Sequence, residues 1–529
     1  MRIIGGWEGG GEPSTAPAMS LLEGRHMLGH WRQNRWIWVL AAAVTCLHLA
    51  FAGRYDFFRN ELYYIVCGRH PDFGYADQPP LVPLLAAASQ VFGLNLWLLR
   101  LPASIAGGAL VLVTAHLARL LGGGPRTAFM AAAATAIAPA LVALTQIMTT
   151  STFEPLAWTA FATVMARAAI LGERRALLWA GAVAGVAMQA KYGIPLWMAG
   201  LAVGLLLTPQ RVVLQWRECW IGLAIAAVIA LPSLVWQTVH GWPFVAVMMH
   251  HTVGRTNFTG TPLQFEINQA LAMNLLLAPL WLTGVVAPFF MRVLKPVRFV
   301  SISYLVTAGL IVALRGKDYY LFPAYPAMFA LGAVACARLT VWLWAPWAVL
   351  ATAASAVLAP LVLPILDPPR LADYLDRMHL HPIPDEKAAV GAPLTQVFSD
   401  ELGWRDLETH VAAVYRALPR EEQRSAAIVA SNYGEAAAID VYGAADHLPP
   451  ALNGQNQYYF WGPRGYDGSV MIHVGGNLDR WRLHCANLQV VATFGVALAM
   501  PYEKDQPIFL CHGLHVPLEE AWGAFKRFQ

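Results

Sequence analysis

Apolar residues fill the first two-thirds of the chain in long blocks, with neither the two-residue alternation of a half-buried strand nor the one-sided stripe of a surface helix. Crossing about 30 Å of hydrocarbon takes roughly 20 largely apolar helical residues. Candidate spans lie near 36–52, 96–120, 127–148, 153–172, 176–190, 194–208, 219–237, 270–290, 298–314, 320–338 and 345–366. The pattern therefore predicts about eleven transmembrane helices, the two that flank Lys191 being short and closely spaced. Longer polar stretches at 53–95 and 238–265 read as loops on one membrane face. Beyond residue 367 the sequence turns charged, Pro-rich and mixed. There, β-like runs at 426–430, 469–474, 488–492 and 507–510 alternate with helical patterns at 433–442 and 478–485, which predicts a small α/β domain. The expected organisation is a disordered extension over 1–35, a membrane domain over 36–366 and an α/β domain over 367–529.

Composition agrees with this pattern. Apolar residues make up 57% of the chain and charged residues 13%, with a mean hydropathy of +0.47, so the lipid bilayer is the expected solvent. The net charge of +4 carries no basic cluster, which argues against nucleic acid as a partner. Basic residues instead report orientation. Arg25, Arg32 and Arg35 precede the first span, and Arg119 with Arg126, Arg167 with Arg174 and Arg175, Arg211 with Arg217, and Arg292 with Lys295 and Arg298 fill alternate loops. This predicts a cytoplasmic N-terminus and, with an odd number of spans, an extracytoplasmic C-terminal domain. Arg54, Arg59, Arg69, Lys191, Arg255, Arg315 and Lys317 crowd the opposite face against that bias, as an anionic ligand there would require. The first apolar run stands too far from the N-terminus for a cleavable signal peptide.

The first polar stretch reads as water-facing and concentrates charge. Asp56 and Glu61 stand beside Arg54 and Arg59 among aromatic residues that include Tyr63 and Tyr64. An aromatic wall raises a carboxylate's proton affinity and a nearby Arg lowers it, a balance that suits a general base. Both acids are catalytic candidates. Asp77 precedes Pro79-Pro80, which breaks any helix and turns the chain back toward the membrane. Arg100 opens one span, and Glu154 opens another after Thr149-Thr150-Ser151-Thr152, where capping and the helix dipole also account for an acid. Lys191 and Lys317, the latter in a run that continues through Tyr320 to Pro326, suit a lipid-linked phosphate as point charges, although interfacial lysines among belt aromatics serve equally as anchors. Arg255 shares the second polar loop with His250-His251, a pair that reads as polar surface. No CxxC or HExxH spacing occurs, so a metal has little support and no cofactor is expected. Cys485 and Cys511 are the C-terminal domain's two cysteines, and an oxidising compartment would allow them to pair, which the spacing leaves open.

Several blocks, taken in order, resemble bacterial glycosyltransferase family 39. They are Arg59-Asn60-Glu61-Leu62-Tyr63-Tyr64, Tyr75-Ala76-Asp77-Gln78-Pro79-Pro80-Leu81, Arg100-Leu101-Pro102, Phe153-Glu154-Pro155-Leu156, Lys191-Tyr192-Gly193, Gly316-Lys317-Asp318-Tyr319-Tyr320 and Pro323-Ala324-Tyr325-Pro326. The family groups relatives of protein O-mannosyltransferases and of the lipid A aminoarabinose transferase. Asn432-Tyr433-Gly434-Glu435, Trp461 to Gly468 and Ala499-Met500-Pro501-Tyr502-Glu503 are similar to the extracytoplasmic domain of one bacterial branch. The resemblance implies the GT-C fold in the bacterial inner membrane. It also implies transfer of a sugar from a polyprenyl-phosphate donor to a cell-envelope acceptor, whether glycan, lipid or protein, by inverting displacement. Many relatives carry an Asp-Glu pair in the first loop, where this chain has Asn60, so the resemblance assigns the base to Glu61 or a shifted Asp56. Arg59, Asp77, Arg100, Glu154, Lys191, Arg255, Lys317 and Tyr320 become the substrate-binding candidates. Two rival classes are a lipid-linked sugar flippase, which would favour broken-helix symmetry between halves, and a membrane-anchored glycan-binding protein, which would leave the charged first loop unexplained.

Overall fold

A computed structural model of the chain describes residues 35–253, 261–338, 341–380 and 389–528. Residues 1–34 of the expected N-terminal extension and Arg255 lie outside these residues, and Arg35 opens the first helix, Arg35–Phe51. Each of the eleven predicted span regions contains a helix. Among the described residues, four helices are long and apolar enough, by length and composition, to cross a membrane: Leu96–Leu120, Arg217–Val239, Lys295–Ala313 and Trp344–Leu361. The number rises to seven if each bent helix pair counts as one span.

The bends have chemical causes. Pro139, which has no N–H to donate and holds Ala138 in an extended conformation, breaks Pro125–Ile137 from Pro139–Gln146 by 63°. Between Pro262–Ala272 and Leu275–Phe290, bent by 96°, Asn274 has a φ of 72°. Its side chain accepts from Leu276 N and donates to Ala351 O and Ser355 Oγ. Where lipid replaces water, helices gain little from hydrophobicity and depend on close packing of small residues. A Cβ on Gly181 would lie 2.0 Å from Gly222 O, and one on Gly284 would lie 2.0 Å from Met328 O. Glycine there lets neighbouring helix backbones touch.

The C-terminal region forms a four-stranded mixed sheet in the order β1-β2-β4-β3, with β1 Ala426–Ala430, β2 Val470–Val474, β3 Cys485–Phe494 and β4 Gln506–Leu514. β1 and β2 run parallel, joined through the helix Tyr433–Tyr442, while β4 is antiparallel to both of its neighbours. Every residue of β1 and β2 is buried, as a parallel pair covered on both faces requires. The expected helix over 478–485 ends at Arg482, and Cys485 begins β3, which forms a disulfide with Cys511 of β4 across a Cα–Cα distance of 5.7 Å.

The expectation of a water-facing first loop is corrected. Its helix, Arg59–Arg69, is buried at Glu61 through Gly68. Leu62, Tyr63, Ile65 and Val66 share one core with Ala436, Ala437 and Ile439 of the C-terminal unit. The run from Leu62 to Cys67 is apolar on every side of the helix, so it needs cover all round.

Candidate active site

The first loop's charges separate into two environments. Glu61 is fully buried, and its carboxylate accepts from Arg100 Nη2 at 2.7 Å, Arg100 Nε at 2.9 Å, Met148 N at 2.8 Å and Phe58 N at 2.9 Å. The Arg100 guanidinium, also fully buried, lies 3.3 Å from Glu401 and donates to Ala52 O and Asp56 O. Helix start, first loop and C-terminal region are thereby tied at one point. Asp56 accepts from Tyr442 OH at 2.6 Å and pairs with Arg405 at 3.2 Å. Neither acid lines the large cavity described below, nor does Arg100. Glu61 and Arg100 are saturated by contacts within the protein, and Asp56, whose side chain is 24% exposed, is held by Tyr442 and Arg405.

One guanidinium facing two carboxylates leaves an excess negative charge in a buried site. Burial pushes the Glu401 carboxyl up to about 8, against the pull of Arg100 and with repulsion from Glu61 adding to the rise. Unfolded, this group releases its proton near 4.5, so between about 4.5 and 8 the folded state holds the extra proton and stability falls as pH rises. Glu401→Gln is expected to flatten that slope by up to about 1.4 kcal/mol per pH unit and to raise stability at pH 9. Thermal melts of wild type and variant from pH 5 to 9 check this, and parallel curves would count against it.

The second environment is a cavity of about 1200 Å³ bounded by the apolar helices, the first loop and the C-terminal unit. Asp77, Glu154, Lys191, Lys317 and Tyr320 all line it, as does Arg59. Pro79 and Pro80 hold the turn after Asp77, and the turn is fastened by Gln237 Nε2, which donates to Tyr75 O at 2.8 Å. Asp77 accepts from Tyr63 OH at 2.8 Å and from Asn456 Nδ2 at 3.3 Å. Tyr63 OH in turn accepts from Gln457 N at 3.1 Å. Burial pushes the Asp77 carboxyl up to about 6, against these hydrogen bonds. Asn456 has a φ of 50° and a ψ of −126°, a strained conformation for a residue with a Cβ, and its N–H donates to Arg527 O at 2.9 Å.

Lys191 caps the helix Ala176–Ala190 and donates to Ser151 Oγ and Glu154 Oε2, each at 2.9 Å. Its ammonium lies 4.6 Å from the Tyr320 ring centroid and 5.1 Å from that of Tyr319, while Lys317 lies 5.9 Å from Tyr319. Two lysines thus converge on one aromatic pair, which holds cations by its ring faces. Arg59 is anchored by Asp400 at 3.5 Å, by Tyr502 OH and by the Tyr433 ring at 5.3 Å. Among the described residues no group of three or more His, Cys, Asp or Glu side chains is placed to hold a metal ion.

Comparison with known proteins follows this geometry. Residues 77–236 match the family described as dolichyl-phosphate-mannose-protein mannosyltransferase. The structure of ArnT from Cupriavidus metallidurans bound to undecaprenyl phosphate superimposes with a TM-score of 0.59 at 16% identity, covering 90% of this chain and 98% of that one. Its apo state gives 0.60 at the same identity and coverage. The arabinofuranosyltransferase AftD from Mycobacteria gives 0.52 at 15% identity, covering 91% of this chain and 40% of that one. The fold is GT-C. No curated protein matches the chain by sequence.

Within the GT-C fold the matched segment carries Asp77, Arg100, Glu154 and Lys191, whereas Lys317 and the C-terminal contributors lie beyond it. The cavity also takes Asn432, Tyr433, Asn456, Asn477, Tyr502 and Arg527, none of which was a candidate from sequence. Asn432, Tyr433 and Tyr502 do fall in the blocks that resemble one bacterial branch, so a signal existed for them. Asn456, Asn477 and Arg527 carry no such mark. His250 and His251, read as polar surface, line the cavity as well.

Proposed function

We propose that this chain is a membrane glycosyltransferase that moves a sugar from a polyprenyl-phosphate donor to a cell-envelope acceptor. The observation that carries the reading is a single cavity holding a carboxylate of raised proton affinity, Asp77, together with two lysines gathered on Tyr319 and Tyr320. Displacement at an anomeric carbon needs a base for the incoming hydroxyl or amine and cations for the departing phosphate. In this reading Asp77 is the base, oriented by Tyr63 and Asn456, and Lys191 and Lys317 hold the phosphate. Tyr320 and Glu154 position the first lysine. A polyprenyl phosphate leaves as an anion already met by cations, so no strong general acid is required. Undecaprenyl phosphate bound to ArnT, which shares the fold, supports a donor of this lipid class.

The test is transfer of labelled sugar from a polyprenyl-phosphate donor by purified protein in membranes. Movement of the donor across vesicles without transfer would favour a flippase. Lys317→Met, and Lys191→Met combined with Glu154→Gln so that no buried carboxylate is stranded, should each weaken donor binding. The loss of one charge-assisted contact is about 1.5–3 kcal/mol, roughly tenfold to a hundredfold. Unchanged donor affinity in both would make these lysines interfacial anchors.

The C-terminal unit is assigned to the extracytoplasmic side, with the N-terminus in the cytoplasm. Alternating Arg and Lys support this, as does the Cys485–Cys511 disulfide, because such bonds persist in oxidising compartments. An exposed cysteine in place of Asp479, whose side chain is 86% exposed, should react with an impermeant thiol reagent in intact cells. Labelling only after the inner membrane is opened would reverse the orientation.

A further inference from the structure

A second cavity, of about 420 Å³, lies in the C-terminal unit where the parallel strands β1 and β2 end. Its volume falls within the range of about 300–1,000 Å³ typical of small-molecule sites, and strand ends of this kind are where α/β sheets bind ligands. It meets the large cavity at Ser431, Gly476, Asn477 and Arg527, which line both.

Three features of the lining specify what would fit. Trp481 and Phe525, with ring centroids 5.8 Å apart, supply an aromatic wall. Arg480, His484 and Arg527 stand at exposed positions around it, and the lining includes no Asp or Glu. His473 of β2 lines the interior, is 2% exposed, and its Nε2 has no hydrogen-bond partner among the described residues. Its ring packs against Trp481 and Phe509, at centroid distances of 3.8 and 4.8 Å, and so forms part of the closed floor of the cavity. Burial also pulls the His473 imidazole down to about 3, so the ring stays neutral and adds no charge to that floor.

Two glycines and a serine form the junction. Gly475 and Gly476 have φ values of 65° and 87°, conformations that glycine adopts without strain. The Glu435 carboxylate beneath the junction is covered by Ser431, which donates to it from both N and Oγ. Arg527 Nη2 donates to Ser431 O at 2.6 Å, so the guanidinium stands at the passage between the two cavities.

We infer that this second cavity binds an anionic sugar unit of the acceptor, a pyranose carrying a carboxylate or phosphate. Its ring lies against the wall formed by Trp481 and Phe525, and its anion faces Arg480 and Arg527. The assignment of this sugar to the acceptor rests on the transferase reading above; the binding site itself does not. Through the shared junction, an acceptor held here can extend a neighbouring hydroxyl or amine into the large cavity.

Saturation-transfer NMR on the full-length protein in detergent tests the site with glucuronate, glucose 6-phosphate and glucose as probes. One or both anionic sugars should bind saturably and glucose much more weakly, and the two anionic arms show whether carboxylate or phosphate is preferred. Arg480→Gln, and Trp481→Leu, which removes the indole face, should each weaken the anionic sugar by about tenfold. Undecaprenyl phosphate binding by both variants should match wild type, which also reports that they are folded. Absence of anionic-sugar binding to wild type, or equal binding by both variants, overturns the inference while leaving the donor reading intact. Failure of wild type to bind undecaprenyl phosphate would instead overturn the donor reading, whatever the sugars do.

Discussion

Replacing Asp77 by Asn should lower sugar transfer by roughly 10²- to 10⁴-fold, the range expected when a general base is lost, with little change in thermal stability. Asn keeps the volume and an acceptor oxygen for Tyr63 OH, 2.8 Å from the carboxylate in the wild type, but cannot take up a proton. The raised proton affinity fixes the sign of the pH dependence. With the carboxyl at about 6, the working ionised form is lost as pH falls, so kcat/KM should drop about tenfold per unit below that value. The Asn variant should lack this limb. An Asp77→Asn enzyme with near wild-type turnover and the same acidic limb would remove Asp77 from the chemistry and return attention to the other first-loop acids.

Arg100→Met is expected to cost about 3–5 kcal/mol of stability, as breaking a buried ion pair from one side does. The substitution keeps much of the apolar stem but leaves Glu61 and Glu401 facing each other with no cation between them. Because this contact joins the first loop, the helix Leu96–Leu120 and the C-terminal region, the loss should show as reduced yield and a lower Tm. Glu61→Gln should act in the same direction and more weakly, since the amide oxygen can still accept from Arg100, Met148 or Phe58. The comparison distinguishes fold from catalysis. If Glu61→Gln left the Tm unchanged and abolished transfer per folded molecule, Glu61 rather than Asp77 would be the base.

The first-loop acids show where sequence reasoning stops. Asp56, Glu61 and Asp77 are all short-loop carboxylates beside aromatic residues, and spacing cannot rank them. Glu61 sits at the third position of the helix Arg59–Arg69 and accepts from the Phe58 N–H at its start, but Phe58 lacks the side-chain oxygen by which a capping box is recognised in sequence. What separates it from Asp77 is Arg100, 39 residues away along the chain, whose guanidinium occupies the carboxylate. The lysines were more legible: a cation beside belt aromatics near a span end is uncommon enough to mark a ligand or an anchor, and Lys191 and Lys317 meet on Tyr319. That convergence brings together residues from two distant spans.

The helical segments and the four strands follow from the sequence alone, because a hydrocarbon solvent and a sheet's two-sided burial each impose a local pattern of apolar residues. The resemblance to family 39 likewise rests on short contiguous blocks. The destination of the first loop does not, since its apolar helix is satisfied equally by lipid or by protein cover, and only assembly against the helix Tyr433–Tyr442 selects the latter. The same holds for the site. A carboxylate's role depends on which charges and hydrogen bonds surround it in a medium of low dielectric. For Glu61 and Asp77 those neighbours, Arg100 in one case and Asn456 in the other, arrive from distant parts of the chain and meet only in the folded molecule.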